Sequence, residues 1–197
     1  MSLYGLVICG GESTRMGTDK SLLVYHQKPQ YEHVGDLLAP LCERVILGCN
    51  AQQAQTFHTT YEKLTDLPAF AGAGPMTALL TAFATHPGND FLVAGCDYPN
   101  LTTGELANFL HSVEKDSTAA AFYNAEGFYE PLLGWYSKSA GTVLKEGFKT
   151  GQRALQRFLQ TENAGKYQPA SAETMTSVDT PEAFRAAKRA LDLHNDI

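Results

Sequence analysis

Three short apolar runs, LYGLVIC (3–9), RVILGC (44–49) and DFLVAGC (90–96), stop abruptly on a glycine or polar residue, at Gly10, Asn50 and Asp97. Runs this short and continuous, separated by stretches of helical spacing, are buried strands of a mostly parallel sheet with helices on both faces. Pro29 opens one such helix, in which Val34, Leu37, Leu38 and Leu41 follow i, i+3, i+4, i+7 spacing. GPMTALLTAFATH (74–86) predicts another, with Pro75 in its first turn. Ligands of such sheets bind outside the carboxyl ends of the strands. Gly10-Gly11, Asn50 and Asp97 are therefore expected around one crevice.

The βα rhythm breaks after a helix expected over 102–113. TAAAFYN (118–124) and FYEPLLGWY (128–136) flank Ala125-Glu126-Gly127 and read as an antiparallel hairpin, which makes the sheet mixed. Two helices (about 138–148 and 152–161), a strand near 174–178 and a final helix from Thr180-Pro181 complete the expectation, the last with Phe184, Ala187 and Leu191 on one face. With 197 residues, 44% of them hydrophobic, the chain is expected to form one domain over 1–197.

Charge narrows the function. A net charge of −6, with no basic cluster longer than Lys188-Arg189, argues against nucleic acid and anionic membrane surfaces as partners. No apolar run approaches the roughly 20 residues that span a bilayer, and no leader pattern is visible. Cys9, Cys42, Cys49 and Cys96 lack CxxC spacing and read as reduced thiols, so a cytoplasmic location is expected. The six histidines show no metal-ligand spacing.

The densest chemistry follows the first run, in ICGGESTRMGTDKS (8–21). The pattern is neither G-x-x-x-x-G-K-[ST] nor G-x-G-x-x-G. Its parts still suit phosphate oxygens. Glycines at 10, 11 and 17 let main-chain N–H groups turn inward, and Ser13 and Thr14 add hydroxyl donors. Arg15 offers a planar fork, and Lys20 a compact charge that can follow negative charge as it moves. Asp97 at a strand end is the best candidate for Mg²⁺, a hard cation that takes one or two carboxylates plus waters and substrate phosphates. Asp179, in Asp-Thr-Pro, reads locally as an ordinary helix N-cap with Pro in the first turn.

GGESTRMGTDK (10–20) resembles the L-x-G-G-x-S-x-R-M-G-x-D-K signature of the nucleotidyltransferase-like family, in particular its molybdenum cofactor guanylyltransferases of the MobA type. KPQYEHV, GPMTALLTA, GCDYPNL, EPLLGWY and SVDTPEAF are similar to later segments of the same family, with departures at Met76, Thr77 and Ser177. The resemblance implies a three-layer α/β/α Rossmann-like nucleotidyltransferase fold, its mostly parallel mixed sheet having an antiparallel portion. It also implies Mg²⁺ dependence and transfer of GMP from GTP to the terminal phosphate of molybdopterin or its molybdenum-loaded form, with release of pyrophosphate. GTP and molybdopterin would be its small-molecule partners, alongside transient contact with cofactor-handling proteins.

Gly10-Gly11, where cytidylyl relatives have Ala-Gly, favours GTP. By the same resemblance Ile8, Cys9, Gly10, Gly11, Ser13, Thr14, Gly17, Lys20, Asn50, Asp66, Gly74 and Asp97 belong to the nucleotide site, with Arg15, Lys20 and Asp97 catalytic. Glu130 and Pro131 resemble the region facing the pterin. A part in holding a metal or phosphate is implied for Asp179 only by this resemblance, no more strongly than the cap. The alternatives are a cytidylyltransferase or sugar-phosphate nucleotidyltransferase on the same fold, or a nucleotide-binding module without catalysis.

Overall fold

A computed structural model describes residues 2–10 and 16–195. Among them seven strands form one sheet: β1 (Leu3–Ile8), β2 (Arg44–Cys49), β3 (Glu62–Thr65), β4 (Asp90–Gly95), β5 (Ala119–Tyr123), β6 (Tyr129–Tyr136) and β7 (Gly165–Tyr167), in the order β3-β2-β1-β4-β6-β5-β7. The first four in that order are mutually parallel. β6 runs antiparallel to both β4 and β5, and β7 returns parallel to β5. This is the mixed sheet expected, with its antiparallel portion at the β5–β6 hairpin.

Strand residues alternate between two apolar layers because successive side chains leave a strand on opposite faces. Leu6 and Ile8 of β1, with Phe91 and Val93 of β4, pack under α3 (Pro75–Thr85), α5 (Lys138–Lys149) and α6 (Leu155–Thr161). Val7, Leu92 and Ala94 point the other way, toward α1 (Gln30–Leu38), α2 (Ala51–Thr56) and α4 (Thr103–Ser112). Strands covered on both faces must be apolar at every position, which is why these three runs show no polar alternation. Phe91 and Phe109 are fully buried, each worth about 2–3 kcal/mol of transfer free energy.

A smaller apolar cluster of Met16, Tyr25 and Val178 seats α7 (Pro181–Asn195) through Phe184, Ala187 and Leu191, the face its spacing predicted. No helix among the described residues is long and apolar enough to cross a membrane.

Four elements differ from the sequence expectation. The stretch near 174–178 is not a strand: Ala172–Met175 is a 3-10 turn, and Val178 donates one backbone bond to the Asp97 carbonyl at 3.0 Å without joining the ladder. In the opposite direction, β3 and β7 are strands of four and three residues that carry too little alternation to be read. Helix α2, AQQAQT, has no apolar stripe and is held by its cap instead.

Candidate functional site

Register sets the site. Ile8 lies opposite Gly48 on one side and Gly95 on the other, so β1, β2 and β4 end level. Gly10, Asn50 and Asp97 each follow two residues later and emerge along the same rim, as expected of the parallel portion. β3 extends the rim by one strand. Its Thr65 pairs with Cys49, which brings Asp66 to the same edge.

On one side of the rim is a cleft of about 500 Å³, lined among others by Ile8, Gly10, Asn50, Asp66, Gly74 and Thr77. Gly74 precedes α3 at φ 52°, ψ −134°, a conformation that side chains with a Cβ rarely adopt. The turn it makes brings the start of α3, the positive end of the helix dipole, to the cleft wall. Asp66 is open to solvent at the rim, yet the wall behind it desolvates the carboxyl enough to raise its pKa. Cys9 contributes no side chain here: its thiol is buried in the layer beneath, and burial raises its pKa well above the ordinary value.

The same rim carries a charged cluster. Lys20 Nζ lies 3.3 Å from Asp97 Oδ1 and donates a hydrogen bond to Asp179 Oδ1, so one ammonium serves two carboxylates from distant parts of the chain. Burial alone would lower the Lys20 pKa. The bond to Asp179 and the field of Asp97 outweigh it, and the pKa is raised. Asp97 is raised by its own burial, with Asp179 adding to the shift and Lys20 opposing it.

The backbone bond from Val178 to Asp97 is what delivers Asp179 to this place. The cap reading of Asp179 is corrected by its neighbour. Thr180 performs that task, its Oγ1 accepting from Ala183 N–H at 3.2 Å and its carbonyl from Phe184 N–H, which leaves the Asp179 carboxylate to Lys20.

Sequence reasoning missed two further arrangements, although resemblance points to Glu130 of the second. Gln53, buried in α2, completes a capping box with Asn50: the Asn50 side chain accepts from Gln53 N–H at 2.8 Å, and Gln53 Oε1 accepts from Asn50 N–H at 2.9 Å. The spacing Asn50-x-x-Gln53 is a legible capping signal, hidden by the absence of an apolar run after it. Next to Asp97, the Tyr98 hydroxyl donates to Glu130 Oε2 at 2.9 Å, and Asn124 Nδ2 donates to Glu130 Oε1 at 3.2 Å. No spacing in the chain announces that triad.

Of the expected site residues, then, Ile8, Gly10, Asn50, Asp66 and Gly74 share the cleft, and Lys20 meets Asp97. Gly17 lies in the turn that precedes Lys20, at φ 68°. Gly11, Ser13, Thr14 and Arg15 fall outside the described residues.

Residues 5–169 match the family described as the MobA-like NTP transferase domain. The chain belongs to that family. Over 92% of its length this MobA-like chain is 32% identical to a molybdenum cofactor biosynthesis bifunctional protein of Synechocystis, and it spans about half (52%) of that protein's length. The molybdenum cofactor guanylyltransferase of Pasteurella multocida is 26% identical, with 98% of each covered. In three dimensions the MobA-like fold is shared with molybdopterin-guanine dinucleotide biosynthesis protein A of Archaeoglobus fulgidus, at a TM-score of 0.77 and 21% identity over 96% of this chain and 98% of that one.

The donor set fits the Mg²⁺ expected of such a transferase. Among the described residues no three His, Cys, Asp or Glu side chains group as a metal cage. Asp97 and Asp179 nevertheless share one cation, Lys20, and two hard carboxylate donors are what Mg²⁺ takes from a protein when substrate phosphates supply the rest.

Proposed function

We propose that the chain is a molybdenum cofactor guanylyltransferase, moving GMP from GTP to the terminal phosphate of molybdopterin and releasing pyrophosphate, with residues 1–197 working as one domain. The observation that carries this is Lys20 held between Asp97 and Asp179 beside a glycine-lined cleft at the ends of parallel strands. It joins a binding cleft to a place where phosphate charge can be managed. The names of the Pasteurella and Archaeoglobus relatives point to the same reaction.

In this reading the cleft takes the guanine nucleoside. The backbone at Gly10 and Gly74 lies along it, and Asp66 accepts from donors on the base or ribose. A terminal phosphate oxygen of the acceptor attacks the α-phosphorus in line. The bond to the β-phosphate breaks, and its electron pair leaves on pyrophosphate. No nucleophile from the chain is required, because alignment and charge compensation supply the acceleration. Lys20 compensates the charge that develops on the α-phosphoryl oxygens, and Arg15 with the loop amides holds the β- and γ-phosphates. Asp97 and Asp179 would hold Mg²⁺, which when bound neutralises phosphate charge and favours departure of pyrophosphate.

Thermal unfolding with Mg²⁺ and each of GTP, CTP, UTP and ATP, followed by pyrophosphate release with molybdopterin, tests the reading. GTP alone should stabilise strongly and support release. A preference for CTP would make the chain a cytidylyltransferase. Nucleotide binding without pyrophosphate release would make it a non-catalytic module.

A further inference from the structure

We infer that Gln53 is a positioning residue for Lys20, acting through the Asp19 carboxylate and linking the nucleotide cleft to the charged cluster; the inference rests on Lys20 working in the transfer proposed above. Gln53 is 4% exposed, and its side chain has no freedom left. Its Nε2 donates to Asp19 Oδ2 at 2.8 Å and to the Cys9 carbonyl at 3.1 Å, while Oε1 accepts from Asn50 N–H. One amide thus ties together the end of β1, the cleft residue Asn50 and the loop that carries Lys20.

Asp19 is held from its other oxygen as well. Oδ1 accepts from the Ser21 N–H at 3.0 Å and from the Ser21 hydroxyl at 2.6 Å, and Ser21 is fully buried. Lys20 stands between these two fixed residues, on a 3-10 turn that Asp19 caps. A lysine side chain has four flexible bonds, and holding one in a single place costs rotamer entropy. Fixing the backbone on both sides of Lys20 leaves those four bonds to rotate but sets the point and direction from which they reach Asp97 and Asp179, so the ion pairs need to select a rotamer and not also a backbone position. The chain of contacts is continuous from Asn50 through Gln53 and Asp19 to the turn at Lys20. Its two ends lie in the two halves of the site.

Gln53→Met, close in length but without donors, is compared with Asp19→Asn and with the double variant, on the full chain. Turnover in pyrophosphate release should fall roughly 10- to 100-fold in each single variant while GTP affinity stays within about threefold, since misplacement of one charge affects the chemical step more than binding. Because both act on one link, the double variant should be no more than about twofold slower than the slower single.

Lysine acylation read by mass spectrometry gives a measure independent of turnover. Lys20 should label several-fold faster in the folded variants than in wild type, relative to the exposed Lys145. Unchanged Lys20 labelling in folded Gln53→Met, fully additive losses, or a loss confined to GTP affinity would each overturn the inference. If Gln53→Met does not fold, Asp19→Asn decides by the labelling alone. A wild-type chain that released no pyrophosphate from GTP would sink the guanylyl reading, and the labelling comparison would still decide the role of Gln53.

Discussion

The two halves of the site are built from opposite materials. The cleft is walled by backbone, glycine and small side chains, and Asp66 is the one charged side chain among its described lining residues. On the same rim, Lys20 pairs with both Asp97 and Asp179 and so gathers three charges. The contrast matches two recognition problems. A flat heterocycle is selected by the shape of a rigid wall and a few well-placed polar groups, whereas a triphosphate passing through a transition state needs charge that is already in position. Substitutions on the charged side should therefore appear in turnover, and substitutions in the cleft in affinity.

The largest effects are expected at Lys20 and Asp97. Lys20→Ala and Asp97→Asn should each lower kcat by about 1,000-fold, with GTP affinity reduced far less, and Asp97→Asn should raise the Mg²⁺ concentration needed for half-maximal rate. Steady-state kinetics across a Mg²⁺ titration, with calorimetry for GTP, measures both. If either loss lay wholly in GTP affinity, the division between the two halves would fail.

Asp179→Asn comes next, at roughly 10- to 100-fold in kcat, because the Asp179 side chain is the most exposed of the three and Asp97 continues to face Lys20 without it. This variant also has a pH signature. In the wild type the Lys20 pKa is raised above 10.5, so the ion pair contributes stability that is fully present below the ordinary lysine pKa and is lost as pH rises through the raised value. The stability gap between wild type and Asp179→Asn should persist from neutral pH to about pH 10 and close above it. Denaturant melts at several pH values measure the gap, and a gap independent of pH would remove Lys20 as its source.

The two halves were unequally legible in the sequence. β1, β2 and β4 are continuous apolar runs because they are covered on both faces, and their common end follows from parallel pairing, so the convergence of Gly10, Asn50 and Asp97 is legible in the residues alone. Asp179 could not be placed. Asp-Thr-Pro satisfies the local preferences of a helix start, and what sets Asp179 apart is a backbone bond between Val178 and Asp97, 81 residues apart in number, which no local pattern encodes. Gln53 was hidden for a related reason: α2 is stabilised by its cap and leaves no hydrophobic period. β3 is short and half-polar, so Asp66 was suggested by resemblance alone, and the strand that carries it to the rim emerged only from pairing with β2.

Within the cleft, Gly74→Ala should cost more than any polar change. Space is not the obstacle, since a Cβ there would meet no heavy atom within 4 Å. The backbone is. A residue with a Cβ at φ 52°, ψ −134° carries about 1–3 kcal/mol of strain, which the turn before α3 can relieve only by moving the cleft wall. GTP affinity should fall roughly tenfold, with kcat at saturating GTP changed less. Calorimetry beside saturating kinetics separates the two, and a variant that lost kcat instead would show that α3 positions the phosphates as well as the base.

The smallest effect is expected at Asp66, and it bears hardest on the comparison. Asp66→Asn preserves shape and an accepting oxygen and removes only the charge. If the wall selects the nucleoside by shape, GTP affinity should fall only about threefold at neutral pH, the scale of one solvent-exposed hydrogen bond losing its charge assistance. Burial raises the Asp66 pKa above 3.8, so wild-type affinity should weaken as pH falls through that raised value and the carboxylate gains its proton. The variant has no such proton to gain, and its affinity should be flat over the same acidic range. A hundredfold loss at neutral pH would mean that the base, like the phosphates, is held by charge, and the cleft would then differ from the Lys20 cluster in the number of its charges and not in kind.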